Sequence, residues 1–223
     1  MQETIKVIQD GVIALEKWCQ KWCVSLNPIK SQLVCFTKCP RHKKEIDDLK
    51  PTVRLFGEDI AIVAEATYLG VIFDSRLTWE PQFRHMTTKA YKTLNLLRHL
   101  SSLSKNPDPN TMISLYRSII LPIFEYGSVS FINAAEVHHE KLQLVQNQAL
   151  RAVMKCPRYV ATKDLHDCTG SINIKSHLIS DAKRRLQTMR KNSPIIGKVI
   201  EEYQALKHIQ ENPSPLDVIA NQG

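Results

Sequence analysis

Two cysteine pairs, Cys19-x-x-x-Cys23 and Cys35-x-x-x-Cys39, stand eleven residues apart and are the first residues whose type and spacing could do chemistry. Four thiolates could close a tetrahedral zinc site. Their context points elsewhere. Cys19 and Cys23 lie beside Trp18 and Trp22 in a helical pattern, where small apolar residues are wanted, and Cys35 sits in a strand-like run. Asp47-Asp48 is the single Asp-Asp pair. Paired carboxylates hold two metal ions for phosphoryl transfer when a strand end or tight hairpin supports them. Here the pair lies in a charge run over residues 43–50 and reads as a solvated segment. His138-His139 and His166-x-Cys168 read as helix-surface and capping residues. The chain has no Gly-x-x-x-x-Gly-Lys or Gly-x-Gly-x-x-Gly loop, no Gly-x-Ser-x-Gly elbow and no His-Glu-x-x-His pair. The residues by themselves show neither a catalytic constellation nor a metal site.

What they do show is charge. The 223 residues carry 30 Lys and Arg against 22 Asp and Glu, a net +8. Residues 1–75 hold ten basic and ten acidic side chains, residues 76–155 ten and five, and residues 156–223 ten and seven. The whole excess lies in the last two thirds, which fits a polyanion such as nucleic acid. With 43% hydrophobic residues the chain is too apolar for disorder, and six Cys are too sparse for a disulfide scaffold. It has neither an apolar run long enough to span a membrane nor a secretory h-region at its start, so an intracellular protein, cytoplasmic or nuclear, is expected.

The elements that must position these residues change character along the chain. Residues 3–24 read as an amphipathic helix with its stripe on Ile5, Ile8, Val12, Leu15, Trp18/Cys19 and Trp22. Residues 32–37 read as a strand, the charged residues 38–51 with two prolines as a loop, and residues 53–63 as a hairpin around Phe56-Gly57-Glu58. Residues 67–73, nearly all apolar, read as one strand buried on both faces. After Asp74 helical periods take over. Residues 80–103 place Phe83, Met86, Ala90, Leu94, Leu97 and Leu100 on one stripe and Arg84, Lys89, Lys92, Arg98 and His99 outside it. Residues 110–126 are apolar nearly all round, as in the central helix of a bundle, with Pro122 kinking or stopping them. A third helix over 134–156 opens on Asn133-Ala134-Ala135-Glu136, a capping-box pattern. Helices near 162–168, 175–192 and 194–209 follow. The expected fold is α+β and mostly helical.

Several local patterns, taken in order, resemble one family. They are Leu15-x-x-Trp18-x-x-x-Trp22, Leu26-Asn27-Pro28-x-Lys30-Ser31, Thr67-Tyr68-Leu69-Gly70-Val71-Ile72-Phe73-Asp74 with Leu77-Thr78-Trp79, and Tyr116-Arg117-Ser118. Leu121-Pro122-x-x-Glu125-Tyr126-Gly127, Leu142-Gln143-x-x-Gln146-Asn147-x-Ala149-Leu150-Arg151 and Arg158-Tyr159-Val160 complete the series. It is similar to the reverse transcriptases of jockey-like non-LTR (LINE) retrotransposons. The resemblance implies a partial polymerase palm over 1–75, a helical-bundle thumb over 76–155 and a helical C-terminal extension over 156–223. It implies that Lys30 is the lysine of the fourth polymerase motif, a general acid beside the triphosphate. Tyr68, Leu69 and Gly70 fall on the primer grip, where Gly lets backbones approach and Tyr offers a flat face to a sugar or base. Lys89, Lys92 and Arg98 fall on a thumb that tracks a phosphate backbone. The partners so implied are an RNA template, a DNA primer and the N-terminal palm and fingers, with no membrane. The family's Tyr/Phe-x-Asp-Asp hairpin does not occur in this chain. Mg²⁺ is therefore expected for the full-length polymerase only, and no cofactor for this chain. The alternative is a non-catalytic nucleic-acid-binding or protein-interaction module derived from a retroelement.

Overall fold

A computed structural model of the chain describes residues 2–49, 51–102, 107–195 and 198. The expectation of a helix over 194–209 lies almost wholly outside them. The chain forms two compact units, residues 1–81 and residues 82–223. The described residues are mostly helical with a few short strands, as an α+β reading requires.

In the first unit, α1 (Gln2–Trp22) leads through a 3-10 turn (Pro28–Lys30) into β1 (Gln32–Leu33). Then come α2 (Pro40–Leu49), β2 (Arg54–Leu55), β3 (Glu58–Asp59), β4 (Ala61–Ile62), β5 (Glu65–Tyr68) and β6 (Val71–Asp74). The strands pair in twos: β1 with β4 in parallel, β2 with β3 and β5 with β6 antiparallel. Gln9 fixes α1 to β2 with both ends of its amide. It accepts from the Arg54 N–H at 2.8 Å and donates to the Arg54 carbonyl at 3.0 Å, which satisfies an edge that a two-stranded ribbon would leave open.

Three expectations fail here. Residues 67–73 are not one strand: the chain turns at Leu69-Gly70, so that Tyr68 faces Val71 across a hairpin. Residues 38–51 are not a loop. Pro40 opens α2 as its first residue, where a missing N–H costs nothing, and the second proline, Pro51, lies beyond the helix end. The stripe of α1 is only partly covered. Cys19 is buried and Ile5, Ile8 and Val12 are half-buried, but Leu15, Trp18 and Trp22 are exposed.

The second unit is helical. α3 (Glu80–Ser102) starts at the end of the first unit and carries the expected stripe, with Phe83, Met86, Ala90, Leu94 and Leu97 buried. The remaining helices are α4 (Pro109–Ile119), α5 (Leu121–Glu125), α6 (Ser128–Phe131), α7 (Glu136–Met154), α8 (Thr162–Thr169) and α9 (Ile174–Asn192). Asp108 caps α4, accepting from the N–H groups of Asn110 and Thr111. The helix expected over 110–126 breaks at Ile120, just ahead of Pro122. Nor is it central, since α4 buries only Met112 and Tyr116 along its length. The central element is α7, which packs on α4, α8 and α9 and buries eight residues. Ala135 stands at the N-cap of α7 with no side-chain cap, so the capping box does not form.

His138 and His139 are buried rather than on the helix surface. Phe83 stacks on the His138 ring with 5.0 Å between centroids and meets His139 edge-on at 5.3 Å. Burial pushes the proton affinity of His139 down and nearby Lys175 adds to this, while Glu136, opposing them, is outweighed. An unfolded histidine protonates near pH 6.5 and this buried one resists, so the folded state loses stability as pH falls below about 6.5. We expect the urea midpoint, read by far-UV circular dichroism, to drop between pH 7.5 and 5.5. His139→Phe should flatten that drop, and an equal drop in variant and wild type would assign it to other groups.

Candidate nucleic-acid interface

The sequence Leu26-Asn27-Pro28-x-Lys30-Ser31 folds into a tight turn that presents Lys30. Asn27 accepts the Lys30 N–H on its side chain at 3.2 Å, Pro28 pre-sets the first helical φ, and the Ser31 hydroxyl donates back to the Asn27 carbonyl at 2.9 Å. Lys30 then lines a groove of about 480 Å³ together with Gln32, Val34, Phe36, Thr67 and Tyr68. Phe73 forms part of its floor and packs edge-on against Phe36, with centroids 6.3 Å apart. The structure thus brings two residues far apart in sequence, Lys30 and Tyr68, to one surface. Gln32, Val34 and Phe36 were missed as lining residues. Their alternate spacing was the available signal, since every second residue of an extended segment faces the same way.

The β5–β6 hairpin turns in two residues. Leu69 has φ 47° and Gly70 has φ 79°. Positive φ at both central positions is the mirror-image turn that matches the right-handed twist of the strands. Gly70 adopts it freely, whereas Leu69 carries about 1–2 kcal/mol of left-handed strain. Tyr68 and Leu69 stand out at this tip, 68% and 72% exposed.

Behind the tip the base of the hairpin is firmly held. The Asp74 carboxylate accepts from the Thr78 N–H at 2.9 Å, the Thr78 hydroxyl at 3.0 Å and the Trp79 N–H at 2.8 Å. Burial opposes its ionisation, but these donors outweigh burial and hold the carboxyl below the usual range. Phe73 and Trp79 pack at 5.2 Å beside it.

On α3, Lys89, Lys92 and Arg98 are all exposed, but they do not form one face. Lys89 and Lys92 are neighbours on adjacent turns. Arg98 follows Lys89 by about 2.5 turns and so lies on the other flank. There its guanidinium donates to Asn95 at 3.2 Å and to Gln148 of α7 at 3.0 Å.

The polar residues of the later motifs join elements. Gln143 donates to Gln146 and Asn147 at 2.8 Å each and accepts the Ile174 N–H, while Gln146 donates to the Ile172 carbonyl. Arg151 donates to the Val160 carbonyl at 2.9 Å, and Arg117 to the Thr169 carbonyl at 3.0 Å. These side chains satisfy loop backbone that the helices leave open, a structural role. Among the described residues, no group of three or more His, Cys, Asp or Glu could hold a metal ion. The two cysteine pairs do not share one environment either: Cys19 is buried, Cys35 half-buried, and Cys23 and Cys39 exposed. Asp47-Asp48 lies within α2 and not in a hairpin turn.

No protein-family model matches the chain, and no solved structure does. Curated relatives do. The chain is 25% identical over 208 residues to the probable RNA-directed DNA polymerase from transposon BS of Drosophila melanogaster, covering 93% of this chain and 22% of that protein. It is 29% identical over 162 residues to the probable RNA-directed DNA polymerase from transposon X-element of the same species, covering 71% and 17%. It is 28% identical over 166 residues to the RNA-directed DNA polymerase from mobile element jockey of Drosophila funebris, covering 73% and 17%. Over most of its length the chain is therefore similar to the reverse transcriptases of jockey-like non-LTR elements. It spans about a fifth of the length of these relatives or less. Among the described residues no helix is long and apolar enough to cross a membrane.

Proposed function

We propose that the chain is the C-terminal palm-and-thumb part of a non-LTR retrotransposon reverse transcriptase and that it grips RNA–DNA template–primer. The observation that carries this reading is the shared groove of Lys30 and Tyr68. A cation and an exposed aromatic face on one surface suit a phosphate and the base or sugar beside it. The tip residues Leu69 and Gly70 extend that surface toward a primer end. In the second unit Lys89 and Lys92 offer cations to backbone phosphates, and Arg98 serves the opposite flank of α3. The uncovered Leu15, Trp18 and Trp22 of α1 dock on the N-terminal palm and fingers of the polymerase. Mg²⁺ belongs to carboxylates outside this chain. Lys30 acts as general acid only in their presence, and so the chain alone binds and does not polymerise.

Fluorescence anisotropy with a labelled RNA–DNA hybrid tests this. Binding should weaken steeply with salt, with a log–log slope near −0.9 for each phosphate neutralised. Tyr68→Ala should cost about 1–3 kcal/mol of affinity through lost stacking, with little change in that slope. A salt-independent affinity, or a Tyr68→Ala variant that binds as well as the wild type, would sink the grip. Primer extension with Mg²⁺ should yield no product, and measurable extension would overturn the assignment of the catalytic metals to another part of the polymerase.

A further inference from the structure

The first unit holds a second concavity, of about 210 Å³, that the grip does not use. Lys38, Lys43, Lys44 and Arg76 line it, with Thr37 and Cys39 between them. The four cations come from three separate segments: the exit of the β1 segment, α2, and the residues after β6. The Thr37 N–H donates to the Ser75 carbonyl at 2.9 Å and holds two of these segments together. The Thr37 hydroxyl accepts the Cys39 N–H at 3.1 Å and fixes the turn into α2. Among the described residues no carboxylate lines the space. Like charges gathered round one concavity repel unless an anion sits among them. The sequence of α2 adds to the imbalance. Arg41, Lys43 and Lys44 stand in its first half and Glu45, Asp47 and Asp48 in its second, the reverse of the order its dipole favours.

We propose that this concavity is a phosphate site. Its volume lies below that of sites for drug-sized ligands and suits a single phosphate group. Ammonium and guanidinium donors arranged around it match the phosphate oxygens. The group is a phosphodiester of bound nucleic acid or a free phosphate. The first source rests on the grip proposed above, while the phosphate chemistry does not.

The test uses the full chain and inorganic phosphate. Phosphate should raise the thermal midpoint of Trp emission above its value in chloride at equal ionic strength. Lys43→Gln/Lys44→Gln should abolish that rise, and Arg41→Gln, on the same helix but outside the lining, should keep it. No rise in the wild type, or equal loss in both variants, overturns the site. A labelled RNA–DNA hybrid supplies the second arm. A salt slope shallower by about 1–2 in the double variant identifies the backbone as the source. An unchanged slope with the phosphate rise lost identifies a free phosphate. If no hybrid binds at all, the grip fails while the phosphate arm still decides the site.

Discussion

Phe83→Ala is expected to cost about 3–5 kcal/mol of stability, the usual range for deleting a fully buried aromatic ring. Phe83 is 1% exposed and packs edge-on against Phe131 at 5.3 Å besides meeting both His138 and His139. Its removal leaves a cavity lined by two imidazoles, and water admitted there would solvate a charged ring. The variant should therefore unfold at much lower urea at pH 7.5 yet lose less on going to pH 5.5 than the wild type. All three Trp (Trp18, Trp22 and Trp79) lie in the first unit, so their emission reads that unit, while far-UV circular dichroism reads mainly the helices of the second. The shift should be largest in the dichroism. A loss below about 1 kcal/mol would show that the ring is not the keystone of this packing.

Asp74→Ala is the second large effect, about 2–3 kcal/mol, and it should appear in Trp emission. The substitution removes the acceptor for three donors, two of them backbone N–H groups just ahead of α3. The carboxylate also holds a turn in which Leu77 has φ 53° and Trp79 φ 67°. Release of that strain returns part of the loss, which sets the upper bound. Because the folded carboxyl titrates below its unfolded value, its contribution is present above about pH 3.9 and fades as pH falls through the folded value. Asp74→Asn should cost less, since one acceptor oxygen remains. A wild-type midpoint in the alanine variant at pH 7 would mean that the turn holds without its carboxylate.

The helices were legible where polar and apolar positions alternate cleanly. The stripe of α3 from Phe83 to Leu97 is buried as its spacing implies, and Ile120 and Pro122 break the following helix where proline requires it. Periodicity failed where it could not see partners. Leu15, Trp18 and Trp22 fit a helix stripe, but nothing in a one-dimensional pattern says whether a surface waits to receive them. His138 and His139 look like surface residues until Phe83 closes over them. Within residues 67–73 the apolar run hid a turn that only Gly70 signalled. In the candidate interface, Lys30 and Tyr68 stand in the family-like motifs. That they line one groove depends on strand placement, which spacing does not encode.

The two-residue turn at Leu69-Gly70 sets how much freedom the tip has left to lose. With both residues confined to one narrow basin of φ and closed by the Tyr68–Val71 pair, few conformations remain to be lost on association. An ordinary loop of the same reach gives up about 1–2 kcal/mol of backbone entropy for each residue it orders on contact. This hairpin surrendered that freedom when the chain folded, so a partner meeting the exposed Tyr68 and Leu69 would find the backbone beneath them already ordered. Lengthening the turn by two glycines would return backbone freedom to the tip, and a contact made there would weaken as that freedom was lost again.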